Sequence, residues 1–322
     1  MKQIDLLRVE TLVVSKPNKV TVLLSTYNGS KFLQQQLNSL YEQSYPNIRI
    51  LVRDDGSSDS TRSILENEQL SGRIDILRGY ENLGPALSFF QLLHNAALTE
   101  TEYIAFCDQD DVWHPHKIEH AVSALLAVVG NRPALFCSRL EIVDEQLNHI
   151  GFTNTPKKIG FGNALVENIA TGCTMVLNRK AVELICKHLP SKVLMHDWWC
   201  YLVLSCFGEI VFDGNANIKY RQHGNNTIGA TVNMFDELKR KMYRFIYSGR
   251  GLLWLQAWLQ ASIFLDMFEK GIPLSQRLVL NKFIAAKSSL WCRVQLVLSK
   301  EIWRQKRFDN VVLRLIIFIN RI

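Results

Sequence analysis

The sequence predicts an α/β fold: a Rossmann-like, mostly parallel sheet followed by a C-terminal helical region. Short β-branched and aliphatic runs alternate with segments of helical periodicity four times before residue 130, which is the pattern of right-handed βαβ units. Beyond about residue 230 the strand signal stops and helical periodicity remains. A hydrophobic content of 48% over 322 residues supplies enough apolar side chain for a substantial core.

Each element has its own warrant. Residues 19–25 (KVTVLLS) read as the first strand, and Asn28-Gly29-Ser30 punctuates the chain before Leu33, Leu37 and Leu40 recur at helical spacing. Residues 47–53 are the second strand, Asp54-Asp55-Gly56-Ser57-Ser58-Asp59 its loop, and 61–68 a helix. A third strand at 73–77 and a third helix at 87–97 follow. The fourth strand, 103–107, ends in an acidic cluster and leads to a helix at 117–128. Residues 133–139 and 171–178 are strand-like, separated by a Gly-, Asn- and Lys-rich stretch typical of a mobile loop. Helices are expected around 234–248, 250–269, 275–299 and 300–320. The chain thus divides into an irregular segment 1–18, an α/β domain 19–230 and a helical tail 231–322.

The net charge of +7 conceals an asymmetry: residues 1–230 hold 21 Lys and Arg against 24 Asp and Glu, residues 231–322 hold 16 against 6. The tail also carries Trp254, Trp258, Trp291 and Trp303. On its last helix Phe308, Val312, Leu315, Ile319 and Ile322 recur at helical spacing, while Arg307, Arg314 and Arg321 fall on another face. Such a basic amphipathic helix suits an anionic membrane surface, a homodimer contact or packing on the α/β domain. Nucleic acid is the weakest partner, since no recognised module precedes it. The seven cysteines show no CxxC pair, which points to reduced thiols in the cytosol. With no signal-peptide core and no run of about 18 apolar residues, a membrane crossing is not expected.

The chemistry concentrates at Asp108-Gln109-Asp110-Asp111, directly behind the apolar run YIAFC. Carboxylates this crowded repel one another, so a cation or cationic substrate is expected to neutralise them; the plain alternative is a solvated turn capping the next helix. Open α/β sheets bind ligands beyond the carboxyl ends of their strands. There Ser25-Thr26-Tyr27-Asn28, Asp54-Asp55-Gly56 and Asp108-Gln109-Asp110 would share one edge. Tyr27 offers a ring to a nucleobase, Ser25 and Asp55 can hydrogen-bond a base edge, and Asp108 can take ribose hydroxyls. Each alone reads equally as a turn or cap residue. GxGxxG and P-loop lysine motifs are absent, which argues against a dinucleotide dehydrogenase.

Taken in order, VTVLLSTYNG, LVRDDGSSDST, ENLGPALSFFQLL and YIAFCDQDDVW, then GCTMVLNR, MHDWW and YRQHGNN, resemble the nucleotide-sugar domain of glycosyltransferase family 2 over about residues 19–228. DQDDVW, HDWW and YRQHGNN resemble its bacterial rhamnosyltransferase-like branch. The resemblance implies a GT-A catalytic domain at 19–230. It further implies inverting, metal-dependent transfer of one sugar from a nucleotide-diphosphate sugar, dTDP-L-rhamnose favoured, to a saccharide or lipid-linked acceptor in surface polysaccharide synthesis. Asp108-Gln109-Asp110 matches the DxD motif that holds Mn²⁺ or Mg²⁺, with Asp108 and Asp110 both at the metal, Asp110 as its direct ligand and Asp108 also near the ribose. Ser25, Tyr27 and Asp55 match base-binding positions, with Thr26 on the same donor-binding loop, and Asn82 and Gly84 match the NxG element beside the donor. Asp197 matches the general base for the acceptor hydroxyl; its two flanking indoles would desolvate it and raise its basicity, and Trp198 or Trp199 could stack on a sugar. His223 matches a residue that completes the metal shell or touches the diphosphate, with Arg221 as another phosphate ligand. The QxxRW element of processive synthases is absent, so single-sugar addition is expected.

Three alternatives stay open at this level. One is a UDP-sugar-dependent hexosyltransferase of the same fold. A nucleotidyltransferase would be expected to show an early Gly-rich loop with Lys or Arg, which this chain lacks. The third is a catalytically silent, membrane-associated scaffold. The expected location is cytoplasmic, peripheral on the inner face of the plasma membrane.

Overall fold

β1 (Val20–Thr26), α1 (Leu33–Tyr41), β2 (Ile48–Asp54), α2 (Thr61–Leu70), β3 (Asp75–Ile76), α3 (Pro85–Ala97) and β4 (Tyr103–Cys107) follow the predicted order. The computed structural model describes residues 17–79, 81–223 and 252–321. Residues 1–16, the helix expected at 234–248, the end of the YRQHGNN run beyond His223, and Ile322 lie outside the described residues. β1 pairs in parallel with β2 and β4, and β2 with β3. Val20, Val22, Leu23 and Leu24 are all fully buried, as expected of a central strand covered on both faces. The order β3-β2-β1-β4 reverses direction at β1, and at such a reversal a crevice opens beyond the strand ends.

After β4 the sheet becomes mixed. β5 (Val112–Trp113), α4 (Lys117–Leu126), β6 (Ala134–Val143), β7 (His149–Phe152), α5 (Phe161–Ala164), a 3-10 turn (Gly172–Thr174), β8 (Val176–Asn178), α6 (Arg179–Cys186), α7 (His196–Phe207) and β9 (Glu209–Arg221) complete this half. β8 runs antiparallel to β4 and β6, while β9 is parallel to β6 and antiparallel to β5. The β1–β4 part is parallel as predicted, and antiparallel pairing enters only after β4. β9 escapes a pattern reading because its centre, Asp213-Gly214-Asn215-Ala216-Asn217, is polar and its register with β6 shifts beside Ser138 and Arg139.

The tail forms α8 (Leu252–Phe268), α9 (Leu274–Ala285), α10 (Leu290–Leu298) and α11 (Arg307–Phe318). The single helix predicted at 275–299 is broken, because Ser289 leaves helical geometry and its side chain accepts from the Cys292 N–H as a new N-cap. Phe264 of α8 packs on Trp199 and Phe207 of α7, with ring centroids 6.1 and 5.9 Å away. Further along, Asn163 Nδ2 donates to the Trp303 carbonyl at 3.1 Å, and the Gln305 N–H donates to Glu167 at 2.7 Å. Helix α7 is therefore enclosed between sheet and tail, which is why it is apolar on nearly every side. Truncating the fully buried Phe264 to Ala is expected to cost about 3–5 kcal/mol, measured as a lowered urea midpoint; a change near zero would show that α8 does not support α7.

The last helix faces differently from its prediction. Leu313, Ile316 and Ile317 are its buried apolar residues and Val312 packs beside them, while Phe308, Leu315 and Ile319 point outward. Apolar residues occupy two sides of this helix, so periodicity alone could not choose between them. Among the described residues no helix is long and apolar enough to cross a membrane.

Candidate active site

Three strand ends meet at the reversal. Ser25 Oγ, at the end of β1, lies 2.6 Å from Ser88 Oγ of α3. Arg53, near the end of β2, donates to Ser88 Oγ at 3.0 Å and to the Asp55 carboxylate. Asp55 is buried and also accepts the backbone N–H groups of Leu83 and Gly84, at 2.9 and 2.8 Å. Of the roughly four acceptor positions on a carboxylate, three are taken by these protein donors. Asn82 Oδ1 accepts from the Gly84 N–H at 3.2 Å. Gly84 adopts a φ of 76° with open space where a Cβ would lie, so the backbone rather than crowding requires glycine.

Tyr27 is half exposed beside this network. Thr26, expected on the donor-binding loop, is buried instead, and its hydroxyl donates to Asp54 at 3.3 Å. It ties two strand ends together. Gln109 has no separate role in the sequence reading, yet its side chain accepts from the Tyr27 N–H at 2.9 Å and donates to the Tyr27 carbonyl at 3.0 Å. That two-point bond spans the reversal and sets the Tyr27 backbone against the acidic loop. Gly29 makes room for it, since a Cβ there would lie 2.1 Å from Gln109 Oε1.

On the acidic loop, Asp110 Oδ2 lies 2.8 Å from His223 Nε2, just beyond the end of β9. Arg221 is buried rather than available to phosphates, which corrects that alternative. Its Nε donates to the Asp110 carbonyl at 2.8 Å, its N–H to Asp111 Oδ1 at 3.1 Å, and its Nη atoms to the Glu145 carbonyl and Gln35 Oε1. Arg221 braces the loop from below. Burial, then Asp110 and then Asp197, push the Asp108 carboxyl up to about 7; Asp197 is tied to the loop's surroundings through the Gly172 N–H it accepts at 3.0 Å, next to Cys173, whose thiol lies within 4.8 Å of Asp108 and Asp111. Asp197 itself is raised to about 6 by burial, against hydrogen bonds from the N–H groups of Trp198 and Gly172 at 2.6 and 3.0 Å.

Trp198 and Trp199 do not reach a sugar. Both are buried, and Trp198 Nε1 donates to the Ala164 carbonyl at 2.7 Å. Phe264 and Phe268 of α8 cover Trp199 while Trp198 is tied to α5, and no local pattern in HDWW could announce that.

The donor set fits a divalent cation. Cis ligands about 2.1 Å from a six-coordinate ion stand about 3 Å apart, close to the observed Asp110–His223 spacing. Burial first and the Asp110 charge second raise Asp108, and a cation between the two carboxylates would offset the second of these. Asp108, Asp111 and Cys173 also place ligand atoms within 4.8 Å of one another. Burial and then these two carboxylates raise the Cys173 thiol well above its usual range, so it remains a protonated hydrogen-bond donor rather than a thiolate ligand.

Fold and crevice together define a transferase of the GT-A type. The model described as glycosyl transferase family 2 matches residues 21–185, and the chain belongs to that family. It is 30% identical over 233 residues to the dTDP-rhamnosyl transferase RfbG of Shigella flexneri, covering 67% of this chain and 77% of that protein. It is also 30% identical over 234 residues to the UDP-Glc:alpha-D-GlcNAc-diphosphoundecaprenol beta-1,3-glucosyltransferase WfgD of Escherichia coli, covering 69% and 83%. The crystal structure of S. aureus TarS 1–349 in complex with UDP-GlcNAc shares the fold, with a TM-score of 0.56 and 15% identity over 94% of this chain and 90% of that one.

Proposed function

We propose that the protein is a cytoplasmic inverting glycosyltransferase that adds one L-rhamnose from dTDP-L-rhamnose to a saccharide or lipid-linked oligosaccharide in bacterial surface polysaccharide synthesis. The observation that carries this reading is the buried Asp197, whose carboxylate accepts the Gly172 N–H one residue before Cys173, which lies within 4.8 Å of Asp108 and Asp111 on the acidic loop. Tyr27 stacks on the base, Ser25 and Asp55 take its edge, Asn82 and Gly84 border the donor, and Asp108 receives the ribose. Asp110 and His223 would hold Mn²⁺ or Mg²⁺, which would supply positive charge to the leaving nucleoside diphosphate. Asp197 removes the acceptor hydroxyl proton as that oxygen bonds the anomeric carbon from the face opposite the leaving group. The breaking C–O bond leaves its electron pair on the diphosphate, and the centre inverts.

Similarity to RfbG supports the rhamnose donor. Similarity to WfgD supports a second reading, a hexosyltransferase using a UDP-sugar. Calorimetric titration with dTDP, UDP and GDP, with and without Mn²⁺, separates them. Metal-dependent binding of dTDP alone is expected; a preference for UDP selects the second reading, and no binding to any leaves a silent scaffold. Because Asp197 acts only when ionised, turnover is expected to rise as pH passes through about 6 and to level off above, read as the acidic limb of a kcat profile.

A further inference from the structure

Helix α11 is apolar on two opposite faces. Leu313, Ile316 and Ile317 pack into the core, while Phe308, Val311, Leu315, Phe318 and Ile319 are 45–65% exposed. Their spacing of three and four aligns them in one outward stripe. A helix apolar all round normally has every side covered. Arg307 is exposed along one border of the stripe, in the same row as the half-buried Arg314, and Arg321 is exposed just past the end of the helix. Between residues 290 and 321 the only acidic groups are Glu301 and Asp309. Both face cations of the protein itself: Glu301 pairs with Lys282 at 2.6 Å, and Asp309 lies 3.7 Å from Arg304. On the neighbouring α10, Trp291 and Leu298 are exposed as well.

We propose that the outward stripe of α11 docks the protein on an anionic lipid bilayer. Phe308, Val311, Leu315, Phe318 and Ile319 enter the acyl boundary, and Arg307 and Arg321 meet headgroup phosphates. A second copy is the less complementary occupant, because the residues from 231 onward hold 16 basic against 6 acidic groups and self-association would set like charges together. Twelve helical residues span about 18 Å, short of the roughly 30 Å hydrocarbon core, so the helix lies in the plane of the surface. No catalytic assignment enters this docking, which stands or falls separately from the transferase reading.

The test is flotation of the full chain with vesicles of phosphatidylcholine, with and without phosphatidylglycerol. Anionic vesicles are expected to carry the wild type about tenfold better than neutral ones. Combining Phe308→Ser, Leu315→Ser and Phe318→Ser should reduce that recovery by at least about tenfold while leaving nucleotide binding and the urea midpoint unchanged. Arg307→Gln with Arg321→Gln should weaken only the anionic preference. No flotation of the wild type, or equal flotation of the triple variant, overturns the proposal. A wild-type dimer that the triple variant converts to monomer without loss of flotation assigns the stripe to a second copy. A fall of several degrees in the triple variant's melting temperature assigns it to the protein's own chain. Either result overturns the lipid assignment.

Discussion

Asp197→Asn is expected to bind nucleotide diphosphate as the wild type does and to turn over about 10³-fold more slowly, within the range of a lost general base. Geometry is the first reason. Asp197 lies in the first turn of α7, where two backbone N–H groups hold its carboxylate, while Asp108 is near enough to be raised by it. A base needs a lone pair, and asparagine's amide oxygen has almost no affinity for a proton. The substitution keeps size and one accepting oxygen, but it turns an NH₂ toward one of the two N–H donors, at a cost of about 1–3 kcal/mol. A urea midpoint therefore accompanies the kinetics, so that lost turnover is not confused with lost fold. Wild-type turnover should also show the acidic limb near pH 6, absent from the residual activity of the variant. Near-normal turnover would remove Asp197 from the chemistry and leave it a buried cap of α7.

Much of this site is written locally. Buried parallel strands leave continuous apolar runs, and the loops after them carry Asn, Asp and Gly for reasons of backbone geometry. Hence β1 to β4, the Ser25–Tyr27 loop and the acidic cluster are legible from residue pattern alone. What a window of sequence cannot show is which side chain a distant segment will meet. Arg221 looks like a phosphate ligand until β9 places it beneath the acidic loop, 111 positions from the carbonyl it holds. Trp198 and Trp199 look like a sugar platform until α5 takes the Trp198 indole and α8 closes over Trp199. Gln109 is an ordinary spacer between two aspartates until the sheet reversal brings it to Tyr27. In each case the residue type is visible in the chain and topology supplies the partner.

Asp110→Ala is expected to abolish the metal dependence of nucleotide binding, weakening affinity in Mn²⁺ by at least about 100-fold, the upper end of what a change behind the ligands themselves costs. His223→Ala should fall between this variant and the wild type. Arg221→Lys should do less, on the order of tenfold, because the backbone N–H of residue 221 still reaches Asp111 while the guanidinium bonds to Asp110, Glu145 and Gln35 are lost. The discriminating measurement is stability without metal. Asp108 and Asp110 stand close enough to repel, so removing one carboxylate should leave the folded protein as stable as before or slightly more so. Arg221→Lys should instead lower the urea midpoint, since it breaks a buried network. A site built for function separates in this way: its ligand residues cost stability, and the residues that brace them contribute it. If Asp110→Ala binds nucleotide with unchanged metal dependence, the cation is held elsewhere and the acidic cluster is a loop that merely starts α4.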